Sequence, residues 1–231
     1  MSWVTIQTGA QGPHTLVGCE VYLPDRSCAG TPWPLVLLLH GRKADCSEWK
    51  RRVRLERYAE EAGVALALAE GKNSFFVNSI VGYNWGDYLA EELPAKLAAW
   101  FPVEDRYVLV GVDSGAYGAL MAAARFPEKM KQVVAVDPLF DIEGLYREGT
   151  EPDPYHIFGE KEKLAENGYL PGVTPGVPTV FYVNEEQEDE AKRFAAGSPD
   201  ASVITVSGCR DDRMEEAFRQ TLSGLRKEAA R

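Results

Sequence analysis

Gly111-Val112-Asp113-Ser114-Gly115 follows an apolar run, Tyr107 to Val110, and precedes an alanine-rich one, Ala116 to Ala124. This order predicts a strand, a sharp turn and a helix, with glycines two places before and two after Asp113 that let helix and strand approach closely. Such a turn lifts its central side chain out of the C-terminal edge of a sheet, and in the pattern G-x-S-x-G that side chain is a nucleophilic serine. Here it is a carboxylate. A carboxylate so presented has two uses, attack on an electrophilic carbon or pairing with a cation, and the plainer reading of five residues is a glycine-rich turn with no chemistry at all.

The elements that must position Asp113 are legible from periodicity. Val17, Cys19, Val21 and Leu23 alternate with Gly18, Glu20 and Tyr22, the period of a strand with one buried face. Leu35 to Leu39 is continuously apolar before His40-Gly41, which suits a strand covered on both faces of a parallel sheet. Ser47 to Ala62 reads as one helix ended by Gly63, and Val64 to Leu68 as the next strand. Gly71 to Asp87, polar and glycine-rich with Phe75, Phe76, Tyr83 and Trp85, reads as a long surface excursion, packing on itself or rimming a pocket. Tyr88 to Phe101 is helical despite Pro94, Arg106 to Val112 is the strand of the turn, Ser114 to Phe126 its helix, and Val133 to Val136 a further strand. Pro138 to Pro178 weakens into a Pro- and Gly-dense stretch, expected to be a small insertion (138–178) over one edge of the sheet. Thr179–Val183, Glu188–Ala196, Ser202–Val206 and Asp211 to about Arg226 complete the alternation of strands and helices. The expectation is one α/β domain, residues 1–231, with a mostly parallel sheet and helices on both faces, its ligands at the C-terminal strand ends.

With 231 residues and 45% apolar content the chain can bury one sizeable core. Its 25 basic and 35 acidic residues, a formal charge of −10, argue against a general nucleic-acid binder. No basic n-region leads into an apolar stretch, and no run approaches the roughly 18 apolar residues of a membrane span. The expected location is the cytoplasm. Cys19, Cys28, Cys46 and Cys209 lack CxxC spacing and read as reduced thiols, so neither a metal nor a cofactor is expected. Lys50, Arg51, Arg52, Arg54 and Arg57 read as a solvated helix face rather than an anion site. Glu185 to Glu190 is an acidic helix start without a calcium-loop pattern.

Several stretches together resemble the esterase D and tributyrin-esterase family of α/β-hydrolases, which includes S-formylglutathione hydrolases. They are Leu37-Leu38-Leu39-His40-Gly41 with Trp49, Asn73-Ser74-Phe75-Phe76, Glu91-Glu92-Leu93-Pro94, Gly111 to Leu120 with Phe126-Pro127-Glu128, and Phe158-Gly159. The resemblance implies a single-domain α/β-hydrolase fold with a Ser, Asp, His triad in chain order. In that register Asp113 stands at the nucleophile position. The acid position, after Thr179–Val183, holds Gln187, and the base position, in Gly208-Cys209-Arg210-Asp211, holds Arg210. The oxyanion loop implied is Gly41-Arg42-Lys43-Ala44, with Ser114 supplying a backbone N–H and Trp85 near the pocket mouth.

Arginine stays protonated and has no acceptor atom, so Arg210 cannot act as a base. The chain has three histidines: His14 ahead of the first expected strand, His40 with the structural role of shaping the oxyanion loop, and His156 in the irregular insertion. Three functions stay open. The first is an esterase-family homologue that has lost ester hydrolysis and is retained as a binding or interaction protein, with Asp113 ion-paired to Arg210. The second is a working hydrolase of small esters using non-standard residues, Ser114 among them. The third is an Asp113-nucleophile hydrolase with His156 as base. The partners this admits are a small molecule in the former active-site pocket and a second copy of the chain, with no nucleic acid and no membrane.

Overall fold

The computed structural model of the chain describes residues 2–25, 32–147, 154–166, 175–198 and 200–229. The elements are β1 (Ser2–Ala10), β2 (Thr15–Leu23), β3 (Trp33–Leu39), α1 (Glu48–Arg52), α2 (Leu55–Ala62), β4 (Ala65–Ala69) and α3 (Trp85–Asp87). After a turn of π-helix come α4 (Leu93–Trp100), β5 (Val103–Val112), α5 (Ser114–Arg125), β6 (Met130–Val136) and α6 (Tyr155–Phe158). The chain closes with β7 (Thr179–Val183), α7 (Glu188–Ala195), β8 (Ala201–Thr205) and α8 (Arg210–Ala229). The sheet order is β1-β2-β4-β3-β5-β6-β7-β8. β1 and β2 are antiparallel, β2 joins β4 antiparallel, and every pairing from β4 to β8 is parallel.

The continuous apolar run in β3 divides its side chains between two cores, as a strand covered on both faces must. Leu35, Leu37 and Leu39 pack with Leu89, Leu97, Ala116 and Phe181 on one face; Val36 and Leu38 pack with Trp49, Leu55, Phe218 and Leu222 on the other. A third cluster of Phe75, Tyr117, Ile142, Leu145, Ile157, Phe158 and Leu164 covers the C-terminal edge. The expected insertion, 138–178, lies partly outside the described residues; its described parts supply Ile142 to Leu164 of that cluster. Among the described residues no helix is long and apolar enough to cross a membrane.

Three local expectations are corrected, and the helix over Tyr88 to Phe101 is found as expected. Ser2–Ala10 is an edge strand, so His14 lies in the β1–β2 turn rather than ahead of the first strand. From Val4 to Ala10 its residues alternate between partly covered and exposed, and only Ala10 is fully buried, because an edge strand covers little of even its inner face. The expected helix Ser47–Ala62 is broken: Val53 is extended (φ −125°, ψ 145°) with its side chain in the core. Tyr88 to Phe101 accommodates Pro94 by opening with π-helix and placing the proline in the first turn of α4, where its missing N–H costs nothing. The excursion 71–87 is not a surface loop. Phe75, Phe76 and Trp85 are buried and only Tyr83 of its named aromatics is exposed, because the chain folds back over α5. The basic face of α1 and α2 is laced with carboxylates instead of open to an anion: Lys50 meets Glu20, Arg51 meets Asp45, Arg52 meets Glu48 and Asp211, and Arg57 meets Glu61.

Candidate active site

Strand order reverses direction at β3, which has β4 on one side and β5 on the other. Crevices form at the C-terminal ends of the strands where such a reversal occurs. The loop after β3, Gly41-Arg42, and the turn after β5, Asp113, meet there. Glycine is required at the join: a Cβ on Gly115 would lie 2.5 Å from the His40 carbonyl oxygen, and one on Gly111 would lie 2.3 Å from that of Gly115.

Asp113 adopts φ 53°, ψ −117°, a backbone region costing a non-glycine residue about 1–3 kcal/mol. It is locked from both sides. Its N–H donates to the Val136 carbonyl at 3.0 Å, and its carbonyl accepts from Tyr117 and Leu139 N–H at 3.2 and 3.3 Å. The side chain is buried at the N-terminus of α5, where a negative charge is favoured. Arg42 Nε donates to Asp113 Oδ1 at 3.0 Å and, less directly, lies 3.4 Å from Oδ2. Arg210 Nη1 stands 3.7 Å from Oδ2, an ion pair beyond hydrogen-bond length. Asp113 and Arg210 thus meet, but the closer partner of Asp113 is Arg42, which the sequence placed only in the loop after β3.

The base-position residue has a second carboxylate. Arg210 Nε lies 3.4 Å from Oδ2 of Asp137, the residue immediately after β6. Asp137 is itself held by Arg213 in a two-bond fork, Nε to Oδ1 at 2.6 Å and Nη2 to Oδ2 at 2.8 Å, with both side chains buried. Arg213 Nη1 also donates to the Gly208 carbonyl at 2.9 Å, tying the turn before α8 to the sheet. Sequence reasoning missed Asp137 and Arg213. The available signals were an aspartate at the C-terminal end of the strand next to β5, and an arginine three residues after Arg210 on the same helix face.

Gln187 does not join this network. Its Nε2 donates to the Pro138 carbonyl at 3.5 Å, and its buried Oε1 has no donor among the described residues. Gln187 is held in the turn by Asn184, whose Oδ1 accepts the Gln187 N–H at 2.9 Å. Trp85 is turned into the core against Tyr88, ring centroids 6.0 Å apart, and does not rim a pocket. Ser114 is buried as the first residue of α5.

The loop after β3 is braced from below. The Gly41 N–H donates to buried Glu48 Oε2 at 2.7 Å and is therefore not free for a ligand. His40 Nδ1 lies 2.9 Å from the Gly41 carbonyl oxygen; its Nε2 lies 3.1 Å from the Gly71 amide and 3.3 Å from Glu70 Oε1. Neutral His40 accepts the Gly71 N–H, and protonated His40 donates to Glu70, so either form joins the loops after β3 and β4. Burial pushes the Glu70 carboxyl up, but hydrogen bonds from His40 and from the Lys72 and Cys46 amides outweigh it and hold it below the usual carboxylate range. His14 and His156 are exposed, and neither is a partner of Asp113.

A mostly parallel eight-stranded sheet with a strained strand-to-helix turn over its reversal point defines an α/β-hydrolase. Residues 13–227 match the family model described as putative esterase, and the chain belongs to that esterase family. Its fold is similar to that of an S-formylglutathione hydrolase from Agrobacterium tumefaciens (TM-score 0.79, 16% identity, 97% of this chain and 94% of that one). It is also similar to FphF, a fluorophosphonate-binding serine hydrolase of Staphylococcus aureus (TM-score 0.76, 16% identity, 97% and 98%). MPT51 of Mycobacterium tuberculosis is a third (TM-score 0.74, 14% identity, 99% and 97%). At these identities the likeness establishes the fold.

Proposed function

We propose that this esterase-family protein has lost ester hydrolysis and works as a binding protein, in the cytosol, with residues 138–178 as a small cap on the former active-site pocket. The observation that carries this reading is the ion pairing of Asp113. A nucleophile needs a free lone pair and a base to activate it or the water that follows. The Asp113 carboxylate is instead neutralised by Arg42 and Arg210, and the position that would hold an imidazole holds a cation with no acceptor atom. His40 is committed to the loop beneath. Attack by Asp113 would also break its ion pairs with Arg42 and Arg210.

Chromogenic short-chain esters test the reading on purified protein. The expected result is no turnover above buffer at neutral pH. Turnover that disappears in Asp113→Ala sinks it in favour of an Asp113 nucleophile, and turnover that disappears in Ser114→Ala sinks it in favour of a displaced serine.

A further inference from the structure

We infer that Arg42 and Arg210 together form a binding site for a small carboxylate monoanion. The inference rests on the reading that this site no longer hydrolyses esters, and it names the class of ligand the site takes. Both guanidiniums reach the same carboxylate, Arg42 through Nε at 3.0 Å to Oδ1 and Arg210 through Nη1 at 3.7 Å to Oδ2 of Asp113. Two cations are thus drawn together by one anion. Arg210's other carboxylate, Asp137 at 3.4 Å, already has its charge balanced by the closer Arg213 fork. Across these five groups there are three positive and two negative charges, and the excess lies on the two heads that face solvent, since the Arg42 and Arg210 side chains are 30% and 42% exposed while Asp113, Asp137 and Arg213 are buried.

The donors are left over as well. Arg42 engages Asp113 through Nε alone, so its two terminal nitrogens have no partner among the described residues, and neither does Nη2 of Arg210. A guanidinium presents its N–H groups as a planar fork that matches the two oxygens of a carboxylate. One unit of excess charge fits a monoanion; a phosphate dianion would leave the site negative. The apolar side of such a ligand has a neighbour in Leu139, whose N–H bonds the Asp113 carbonyl at 3.3 Å and which packs on the cluster around Tyr117 and Phe158.

The surrounding charges limit the range of the attraction. Arg52, with Glu48 at 3.3 Å and Asp211 at 2.6 Å, carries one positive and two negative charges beside the site and cancels its excess at a distance. In a chain of formal charge −10, long-range steering therefore does not assist binding. Selectivity comes from the short-range donors.

Calorimetric titration of the full-length protein with butyrate, butyramide and inorganic phosphate at matched ionic strength tests the assignment. The expected result is saturable binding of butyrate, none of the isosteric neutral butyramide, and weaker binding of phosphate. Arg210→Gln and Arg42→Gln should each weaken butyrate by about tenfold or more, and Arg57→Gln, on the exposed face of α2 and paired with Glu61, should leave it unchanged. Should Arg210→Gln fail to fold by circular dichroism, Arg210→Lys replaces it, keeping the charge and losing the fork, with the same weakening expected. Absence of saturable butyrate binding, equal binding of butyramide, tighter binding of phosphate, or unchanged butyrate affinity in the folded arginine variants overturns the assignment. Ester turnover on the same sample would count against the loss of hydrolysis while leaving the titration to decide the ligand.

Discussion

Asp113 and Asp137 occupy equivalent places in neighbouring strands. Each follows the last residue of its strand, each is buried, and each has positive φ, 53° and 42°. Their partners differ. Asp137 meets Arg213 in a buried two-bond fork at 2.6 and 2.8 Å, with Arg210 farther off at 3.4 Å, whereas Asp113 is shared between two partly exposed arginines alone, one of them at 3.7 Å. The first pair is an anchor: it closes β6 onto α8 and cannot be opened without stranding a buried charge. The second is a contact that solvent or a ligand can enter, because exposed guanidiniums are screened and lose little when a partner leaves. Similar carboxylates at similar strand ends therefore serve opposite ends, one fixing the scaffold and the other leaving cations available.

The comparison breaks most readily at the anchor. Arg213→Ala should cost about 3–5 kcal/mol by leaving buried Asp137 with only the longer 3.4 Å contact to half-exposed Arg210, read as a fall in the urea midpoint at constant slope. A loss under about 1 kcal/mol would show the fork to be no more than a surface pair. The open pair should yield much less. Arg42→Ala and Arg210→Ala are each expected to cost about 1 kcal/mol or less by the same measurement, and a larger loss from either would erase the distinction between the two sites. At Asp113 itself, backbone and side chain can be separated. Both Asp113→Gly and Asp113→Ala remove the carboxylate, but glycine tolerates φ 53°, so the glycine variant should be the more stable by about 1 kcal/mol.

Acid should act on the loops beneath the site. Glu70 titrates below its ordinary value near 4.5 in the folded chain, so the unfolded chain holds more protons between the two values. The stability it contributes is complete above about pH 4.5 and is lost as pH falls through the folded value. Glu70→Gln should flatten that part of the pH–stability curve, and an unaltered curve would show that His40 and the two amides do not hold the carboxylate. The smallest effect is expected from reverting the site. Asp113→Ser with Gln187→Asp and Arg210→His should leave short-chain ester turnover within about tenfold of background, because the Gly41 N–H stays bound to Glu48 and residue 187 faces the Pro138 carbonyl. A large rate gain would show the pocket to be intact.

Much of the central sheet was readable because its periodicity is strong. Leu35–Leu39 and Thr179–Val183 are short apolar runs that strands buried on two faces require, and the glycines around Asp113 announce a close strand–helix join. The edge strand Ser2–Ala10 was missed since its residues bury little, and the break at Val53 because a helical period continues across it. The burial of Phe75, Phe76 and Trp85 was hidden by the polar residues between them, which mark a loop without saying which way its aromatics turn.

For the site, the sequence by itself determined the strand-to-helix turn and the carboxylate of Asp113 at its centre, since these depend on local spacing along one stretch of chain. Arg210 and Gln187 were also placed just after their strands. Tertiary structure alone decided their partners. Arg42 reaches Asp113 from the loop after β3, Asp137 enters from a strand given no role, and Gln187 turns aside to Pro138. Ion pairing falls off over a few ångströms, and side chains 71 residues apart come within 3.0 Å only when the sheet sets two strand ends side by side.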